Sequence, residues 1–530
     1  MISDPIKLGL AAGWQHINGA QLAADLQLQA DVVVIGSGAG GGTSAQILAE
    51  AGFKVIIIEA GPLKSSSDFK MQEKIAYPDL YQQSAAMKTK DGAIAMLQGR
   101  CVGGSTTVNW TTSIRTPEPT LTHWQQHFGL TELTRQELDP WFEQTDKALN
   151  IHQWQMSPNQ SNDVLAQGCQ QLGWDHTVIE RNVNGCANLG YCGMGCPINA
   201  KQSMLVTTVP AALNAGATLL SYTEAWQLQH SDNKVTVILC RTRDTNHQRR
   251  DINISISAKH FVLCGGALHS PALLLRSKVP DPHQLIGRRT FLHPVLINIS
   301  EFDRTIAAHS GAPQSIYSDQ FLWPTEDEQR LGYKMEAAPL HPILLATKLP
   351  LLGEQHAELM QSFQHLQMTI ALLRDGFGPN SPGGTVELDK FGDPLLDYPL
   401  NELFWKSARH SAIHMAKLQF AAGAKRVALA HDPLVWVNSV EEAELAFNEL
   451  TLQKYQTIVS SAHIMGGCGM GASPELGVVN ANGEHHQLEN LSIFDGSVLP
   501  TSLGANPQVT LYGLARRNCT KLLQRLSQQA

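Results

Sequence analysis

The chain of 530 residues carries a formal net charge of −8, with 43% hydrophobic and 16% charged residues. That length allows two or three structural units and burial of about three-quarters of the surface the unfolded chain exposes, so disulfide staples are not needed. The acidic balance, with no Lys/Arg cluster to offset it, excludes a nucleic-acid partner, and no apolar run approaches the ~18 residues of a membrane span.

The chain opens on "MISDPIKLGLAAGWQHINGA", which has one lysine and a short, broken apolar patch. This is a poor signal peptide, so a cytoplasmic location is expected, and residues 1–30 read as an N-terminal extension. In a reducing compartment the nine cysteines are expected to be free, catalytic or metal-bound rather than paired. In "ADVVVIGSGAGGGTSAQILAEAGFKVIIIEAG", Val32 to Ile35 predicts a buried parallel strand, the glycines a turn and Thr43 to Glu50 a helix. The run "KVIIIEAG" predicts a second buried strand. Residues 260–277, "HFVLCGGALHSPALLLRS", repeat the order of strand, glycine turn and helix. From about 290 to 455 the character changes to turn-rich segments such as "GFGPNSPGGTVELDKFGDPLLDYPL", in which "TVEL" and "PLLDYPL" predict antiparallel strands around a turn. A strand is expected just before Asp495, and "TLYGLARRNCTKLLQRLSQQ" has the periodicity of a terminal helix.

The nucleotide-type elements therefore lie in the first and last thirds of the chain. The expected fold class is α/β (α+β overall). A Rossmann-like cofactor domain, discontinuous over 31–290 and 455–530, carries a cysteine-loop insertion near 150–200. A second, mainly antiparallel-sheet substrate domain spans 291–454.

Gly36, Gly38 and Gly41 form G-x-G-x-x-G between a strand and a helix. The first permits the tight turn, the second lets backbone approach a pyrophosphate, and the third lets the helix pack on the strand with its N-terminus facing the anion. Glu59 ends the second strand, where a carboxylate accepts hydrogen bonds from an adenosine ribose. A dinucleotide site follows, but the fingerprint does not separate NAD from FAD.

The next motif does. "QGRCVGGSTTVNWTTSIRTP" (98–117) resembles the signature of the glucose–methanol–choline (GMC) flavoprotein oxidoreductases, with Gly99, Arg100, Gly103, Gly104, Ser105, Thr106 and Asn109 in the motif positions. A second family signature is matched by Gly266, Ala267, Ser270, Pro271, Leu273, Leu274 and Ser277, and departs at Lys278, where the family usually has glycine. "DGSVLPTSLGANPQVTLYGLARR", with Asp495 and Pro507, is similar to the family's C-terminal flavin-binding segment. Some members attach flavin through a histidine just before the signature asparagine. Here that position is Val108, so the resemblance implies noncovalent FAD.

The resemblance also implies a catalytic pair. His463, in "SSAHIMGGCGMG", matches the family's catalytic histidine, and Asn506, in "GANPQV", the second active-site position. Oxidising an alcohol requires removal of the hydroxyl proton while hydride leaves carbon for flavin N5, and a neutral histidine suits that acceptor role. Cys468 and Met470 read as packing residues and His293 as structural. No nucleophile elbow supports a hydrolase.

For substrate, the apolar, proline-punctuated segment 336–355 reads either as core or as a lid or membrane-facing entrance for a lipophilic alcohol. With its surroundings it resembles the long-chain alcohol oxidase branch, which implies a small-molecule, apolar alcohol and leaves room for peripheral membrane contact. A sugar or polyol dehydrogenase is the alternative, and a non-oxidative lyase or isomerase on the same fold is a third. Cys186, Cys192 and Cys196, at C-x5-C-x3-C spacing before Pro197 and Ile198, resemble a loop that ligates a three-iron, four-sulfur (3Fe-4S) cluster in sugar dehydrogenases. Three thiolates so spaced can hold a cluster, bind zinc with a fourth ligand, pair as a disulfide or pack inertly. The choice bears on the electron acceptor: an acceptor protein or quinone on one side, oxygen on the other.

Overall fold

The computed structural model describes residues 4–325 and 329–529. Its first sheet begins with β1 (Gln15–Asn18) and β2 (Leu26–Ile35), followed by α1 (Ala39–Glu50), β3 (Val55–Ile58) and α2 (Glu73–Leu80). It is completed by β4 (Thr218–Ser221), β5 (Thr223–Ser231), β6 (Lys234–Arg243) and β7 (Arg249–Leu263), which leads into α3 (Gly266–Ser277). The spatial order is β1-β4-β3-β2-β7-β6-β5, with Leu491–Ile493 paired to the end of β7. The central strands are parallel, with Val32 to Ile35 opposite Val55 to Ile58 on one side and His260 to Leu263 on the other. All four residues of β3 are buried, as are the last four of β2. That continuous apolar character is what a parallel strand covered on both faces requires. The segment expected to be an N-terminal extension is woven into this sheet, since β1 pairs with β4 in parallel. Its alternation is too weak to announce a strand without the partner edge.

The second sheet contains β8 (Val295–Glu301), β9 (Ile316–Phe321), β10 (Tyr333–Ala337) and, after α4 (Pro342–Lys348), β11 (Leu366–Leu373). The long helix α5 (Glu402–Ala421) precedes β12 (Arg426–Leu429). The order is β12-β8-β11-β10-β9, antiparallel throughout. Thr177–Val178 extends one edge, Trp436–Val437 the other, and Val459–Ser461 pairs with the start of β8. This sheet therefore recruits strands from outside 291–454. The "TVEL" and "PLLDYPL" strands do pair antiparallel, Val386 opposite Leu396.

Alternation sets the two faces of the second sheet. Leu296 packs with Ala408, Ala412 and Met415 of α5, and Asn298 Nδ2 donates to the Ala412 carbonyl. Val295, Ile297 and Ile299 point the other way, towards a cavity between the two sheets. The terminal helix α6 (Gln508–Gln529) runs back along α1, so that its N-terminus opens onto the same cavity.

Candidate active site

The cavity, about 400 Å³, runs from the first sheet's carboxyl ends into the apolar face of the second. Gly36 and Gly38 line its first half, and Gly41 stands behind the wall. Gly36 has φ +102°, and a Cβ there would lie 2.3 Å from the Cys264 carbonyl oxygen; one on Gly41 would lie 1.8 Å from the Gly36 carbonyl oxygen. Gly38 is the N-cap of α1 with no side-chain cap, so the first N–H groups of a 12-residue helix face the cavity. Gly104, at φ +54°, brings its backbone against Gly38, and a Cβ on it would lie 2.9 Å from the Gly38 Cα. Gly103, at φ +89°, turns the chain behind this point.

Ser37 ties the two loops together. Its Oγ donates to Glu59 Oε2 (2.6 Å) and accepts from the Gly103 N–H (2.9 Å). Glu59 also accepts from the N–H groups of Ser37 and Gly61, and burial pushes its carboxyl above the ordinary range. Arg100 lines the cavity with its Nε unpartnered, and burial lowers its pKa to about 10. Ser105 Oγ accepts from the Gly99 N–H, and Thr106 Oγ1 donates to the Gly103 carbonyl. Asn109 Nδ2 donates to Gln508 Oε1 (2.6 Å), which locks the signature segment onto the start of α6. Asp495 accepts four hydrogen bonds, from Ser497 N and Oγ, Gly266 N and Ser270 Oγ, and so joins the second signature helix to the C-terminal segment. Pro507 lines the wall beside Asn506. An uncapped helix end, a backbone-only slot at Gly38 and Gly104, a buried carboxylate and a cationic Arg100 fit FAD. Sequence reasoning missed Ser37 and Gln508, whose roles depend on contacts across 66 and 399 residues of chain.

His463 lies two residues past the Val459–Ser461 strand and lines the cavity where the two halves meet. Its Nδ1 is 3.2 Å from Nδ1 of His293. His293, read from the sequence as structural, is the direct hydrogen-bonding partner of the catalytic candidate. It is held in a left-handed backbone conformation, φ +49°, because Asp375 accepts from the N–H groups of both Leu292 and His293. One hydrogen serves the Nδ1–Nδ1 contact. If His463 donates it, Nε2 of His463 is left as a lone pair towards the cavity, and His293 carries its own hydrogen on a buried, unpartnered Nε2. Burial lowers the pKa of His463 to about 4, so the ring is neutral at pH 7.

Asn506 is buried, with Nδ2 3.4 Å from Oε2 of Glu336 and its own Oδ1 unpartnered. Glu336 was not singled out by sequence reasoning. It is fully buried on β10, accepts from Gln314 Nε2 (2.5 Å), and burial raises its pKa to about 7. The available signal was "YKMEAA", in which Lys334 and Glu336 set charges at alternate positions of an otherwise apolar strand. Cys468 and Met470 are fully buried packing residues, as expected.

The cysteine loop sits directly behind the signature segment: Tyr81 Oη donates to the Gly193 carbonyl, and the Lys201 ammonium donates to the carbonyls of Thr107, Asn109 and Cys192. Cys186, Cys192 and Cys196 are free and partly exposed. Cys186 Sγ accepts from the Asn188 N–H, and Cys192 Sγ from Arg181 Nη2. Among the described residues no three Cys, His or acidic side chains gather around a single-metal point, although Cys186 and Cys196 lie near enough to Cys192 to act on its thiol. Nor is any helix among the described residues long and apolar enough to cross a membrane.

Comparison with known proteins bears on this site. Models described as GMC oxidoreductase match residues 77–295 and 379–515, and an FAD-binding domain model matches 31–77. An uncharacterised GMC-type oxidoreductase of Sinorhizobium fredii is 29% identical over 96% of this chain and 98% of its own length. A long-chain-alcohol oxidase of Arabidopsis thaliana is 28% identical over 94% of this chain and 69% of its own. Among solved structures, a formate oxidase of Aspergillus oryzae superposes with a TM-score of 0.68 at 16% identity, covering 96% of this chain and 100% of that one.

Proposed function

The chain belongs to the GMC oxidoreductase family of FAD-dependent enzymes, and from that premise we propose that it oxidises apolar, long-chain alcohols at the CH–OH carbon to the aldehyde. The observation that carries this reading is the placement of the neutral His463 and the uncharged Asn506 in a cavity to which β8 and β11 present Val295, Ile297, Ile299, Met368, Ile370 and Leu372. The likeness to long-chain-alcohol oxidases supports the same substrate class. FAD, held by the Gly36–Gly41 loop, Glu59, Arg100 and the Gly103–Asn109 segment, supplies the hydride acceptor.

The protein's own groups handle the proton and the oxygen. His463 Nε2 accepts the hydroxyl proton while His293 fixes the tautomer. Asn506 aids this only if its amide turns Nδ2 towards the substrate oxygen, which aims Oδ1 at Glu336. That orientation needs a hydrogen on Glu336, which a carboxyl titrating at about pH 7 supplies on the acid side of neutrality. Glu336 is thus a positioning residue acting through Asn506.

Anaerobic mixing of the yellow protein with dodecanol is the test. Loss of the oxidised flavin's visible band is expected. No bleaching by any aliphatic alcohol would sink the reading, and bleaching by glucose alone would favour the sugar-oxidising alternative. That alternative, with electrons leaving through a 3Fe-4S cluster to an acceptor protein, draws support from the cysteine loop's position behind Asn109. No step is assigned to a cluster. Iron and acid-labile sulfide assays on anaerobically purified protein decide the point.

A further inference from the structure

We propose that the far end of the chamber is an anion subsite built on Lys348, so that the preferred substrates are alcohols with a carboxylate at the end of the chain remote from the hydroxyl. The proposal rests on the alcohol-oxidising reading of the same cavity and names its substrate class more closely.

The register of the second sheet gives the chamber its direction. β8 leaves the His293–His463 pair and presents Val295, Ile297 and Ile299 in turn to the cavity. From Val295 to Ile299 this wall extends about 13 Å at the usual rise of a strand. On β10, Glu336 lies opposite Ile370, and the Ala338 N–H donates to the Met368 carbonyl one step further from the histidines. The chain continues outward through Leu340, whose N–H donates to the Ala308 carbonyl, into α4. One continuous stretch thus lines the cavity from Glu336 beside Asn506, through Leu340, Leu344 and Leu345, to Lys348 in the last turn of α4.

The position of α4 is fixed from its other end. Glu73 of α2, itself buried, accepts from the N–H groups of Ile343 (2.7 Å) and Leu344 (2.8 Å), which caps the helix and docks it over the cavity. Lys348 is therefore carried on an anchored element. Among the described residues the charged group acting on it is another cation, Lys88. Of the other cations lining the cavity, Arg100 stands in the cofactor half, Arg243 pairs with Glu224, and Arg276 donates to the carbonyls of Trp226, Gly392 and Ala225. An amine at the end of an apolar chamber, repelled by a second cation and partly desolvated, gains from an arriving anion. A chain carrying a carboxylate at one end and a hydroxyl at the other satisfies Lys348 and His463 while its methylenes cover the β8 and β11 faces. The contrary reading is a lysine whose stem covers apolar surface while its ammonium reaches into water. It predicts no preference for acids.

The test compares ω-hydroxydodecanoate with dodecanol on the holoenzyme, as a ratio of kcat/KM, in wild type, Lys348→Met and Lys348→Arg. The expected ratio favours the hydroxy acid by about tenfold or more in wild type, collapses towards one in Lys348→Met through KM, and returns in Lys348→Arg. An equal ratio in wild type and Lys348→Met overturns the subsite. Binding of dodecanoate, which has no hydroxyl to oxidise, is measured alongside by calorimetry. It should weaken about tenfold in Lys348→Met. Equal binding in the two proteins overturns the subsite whether or not any alcohol is oxidised. Failure of the oxidation itself with dodecanoate binding intact would instead count against the alcohol reading.

Discussion

Replacing Glu336 with glutamine separates two consequences of burying this carboxyl. The side chain is fully buried, and its pKa rises from 4.5 to about 7. Between those values the folded protein holds a proton that the unfolded chain has released, so wild-type stability falls as pH rises through the window and the full cost is reached above pH 7. The shift corresponds to roughly 3 kcal/mol. With an unfolding entropy of about 2.1 cal/mol/K per residue, 530 residues give about 1.1 kcal/mol/K, so the cost amounts to about 3 °C in Tm. Glutamine cannot ionise, and with its Oε1 in the place of Glu336 Oε2 it still accepts from Gln314 Nε2 and faces Asn506 in the same state at every pH. About a quarter of that cost is already present at pH 5, so thermal unfolding of the FAD-loaded proteins at pH 5 and pH 8 should show Glu336→Gln gaining about 2 °C on wild type between the two. In the same pair of proteins, kcat/KM should fall through about pH 7 on the alkaline side in wild type and stay level in Glu336→Gln. A Tm difference that is the same at both pH values, together with superimposable rate profiles, would refute both the burial cost and the control of Asn506 by Glu336.

His463→Asn should keep its FAD while alcohol-driven bleaching slows by about 10²- to 10⁴-fold, the usual worth of a positioned base; bleaching at the wild-type rate would remove His463 from the chemistry. In wild type the neutral ring is the active form, so kcat/KM should be lost as pH falls through about 4, a limb absent from His463→Asn. Gly104→Ala places a Cβ 2.9 Å from the Gly38 Cα at φ +54°. The left-handed conformation alone costs about 1–2 kcal/mol, so FAD titration of the apoprotein should show affinity at least about tenfold weaker. Full FAD occupancy in that variant would mean that the slot is not where the cofactor lies.

Much of the cofactor half was legible because its signals are local. Gly36, Gly38 and Gly41 act within one turn between β2 and α1, and a buried parallel strand announces itself by four consecutive apolar residues. The terminal helix and the 384–397 hairpin were legible for the same reason. What the sequence could not convey are roles created by pairing distant segments. His293 looks like one of 21 histidines until Asp375 twists its backbone and sets its ring against His463, 170 residues away. The first strand, Gln15–Asn18, has no pattern of its own and exists because β4 offers it an edge. The cysteine spacing was legible as a motif, yet spacing alone does not say what three neighbouring thiols hold.

The chemistry sits at the seam between the sheets because neither half supplies a complete set of groups. The first sheet contributes the cradle and, through the start of α6, Asn506; the second contributes Glu336 and, just before β8, His293. His463 arrives on the segment after Val459–Ser461, a strand of the second sheet that pairs Ser460 with Val295. This arrangement limits the path of the proton. His293 Nε2 has no side-chain or backbone partner among the described residues, whereas His463 lines the cavity, so the cavity side is the route we propose for a proton taken by His463 Nε2. The cavity mouth thus serves both substrate entry and proton exit. A side chain that closes it, such as a tryptophan in place of Ala462, should slow turnover even with a short alcohol that needs none of the apolar chamber. Unchanged turnover of ethanol in Ala462→Trp would place the exit elsewhere.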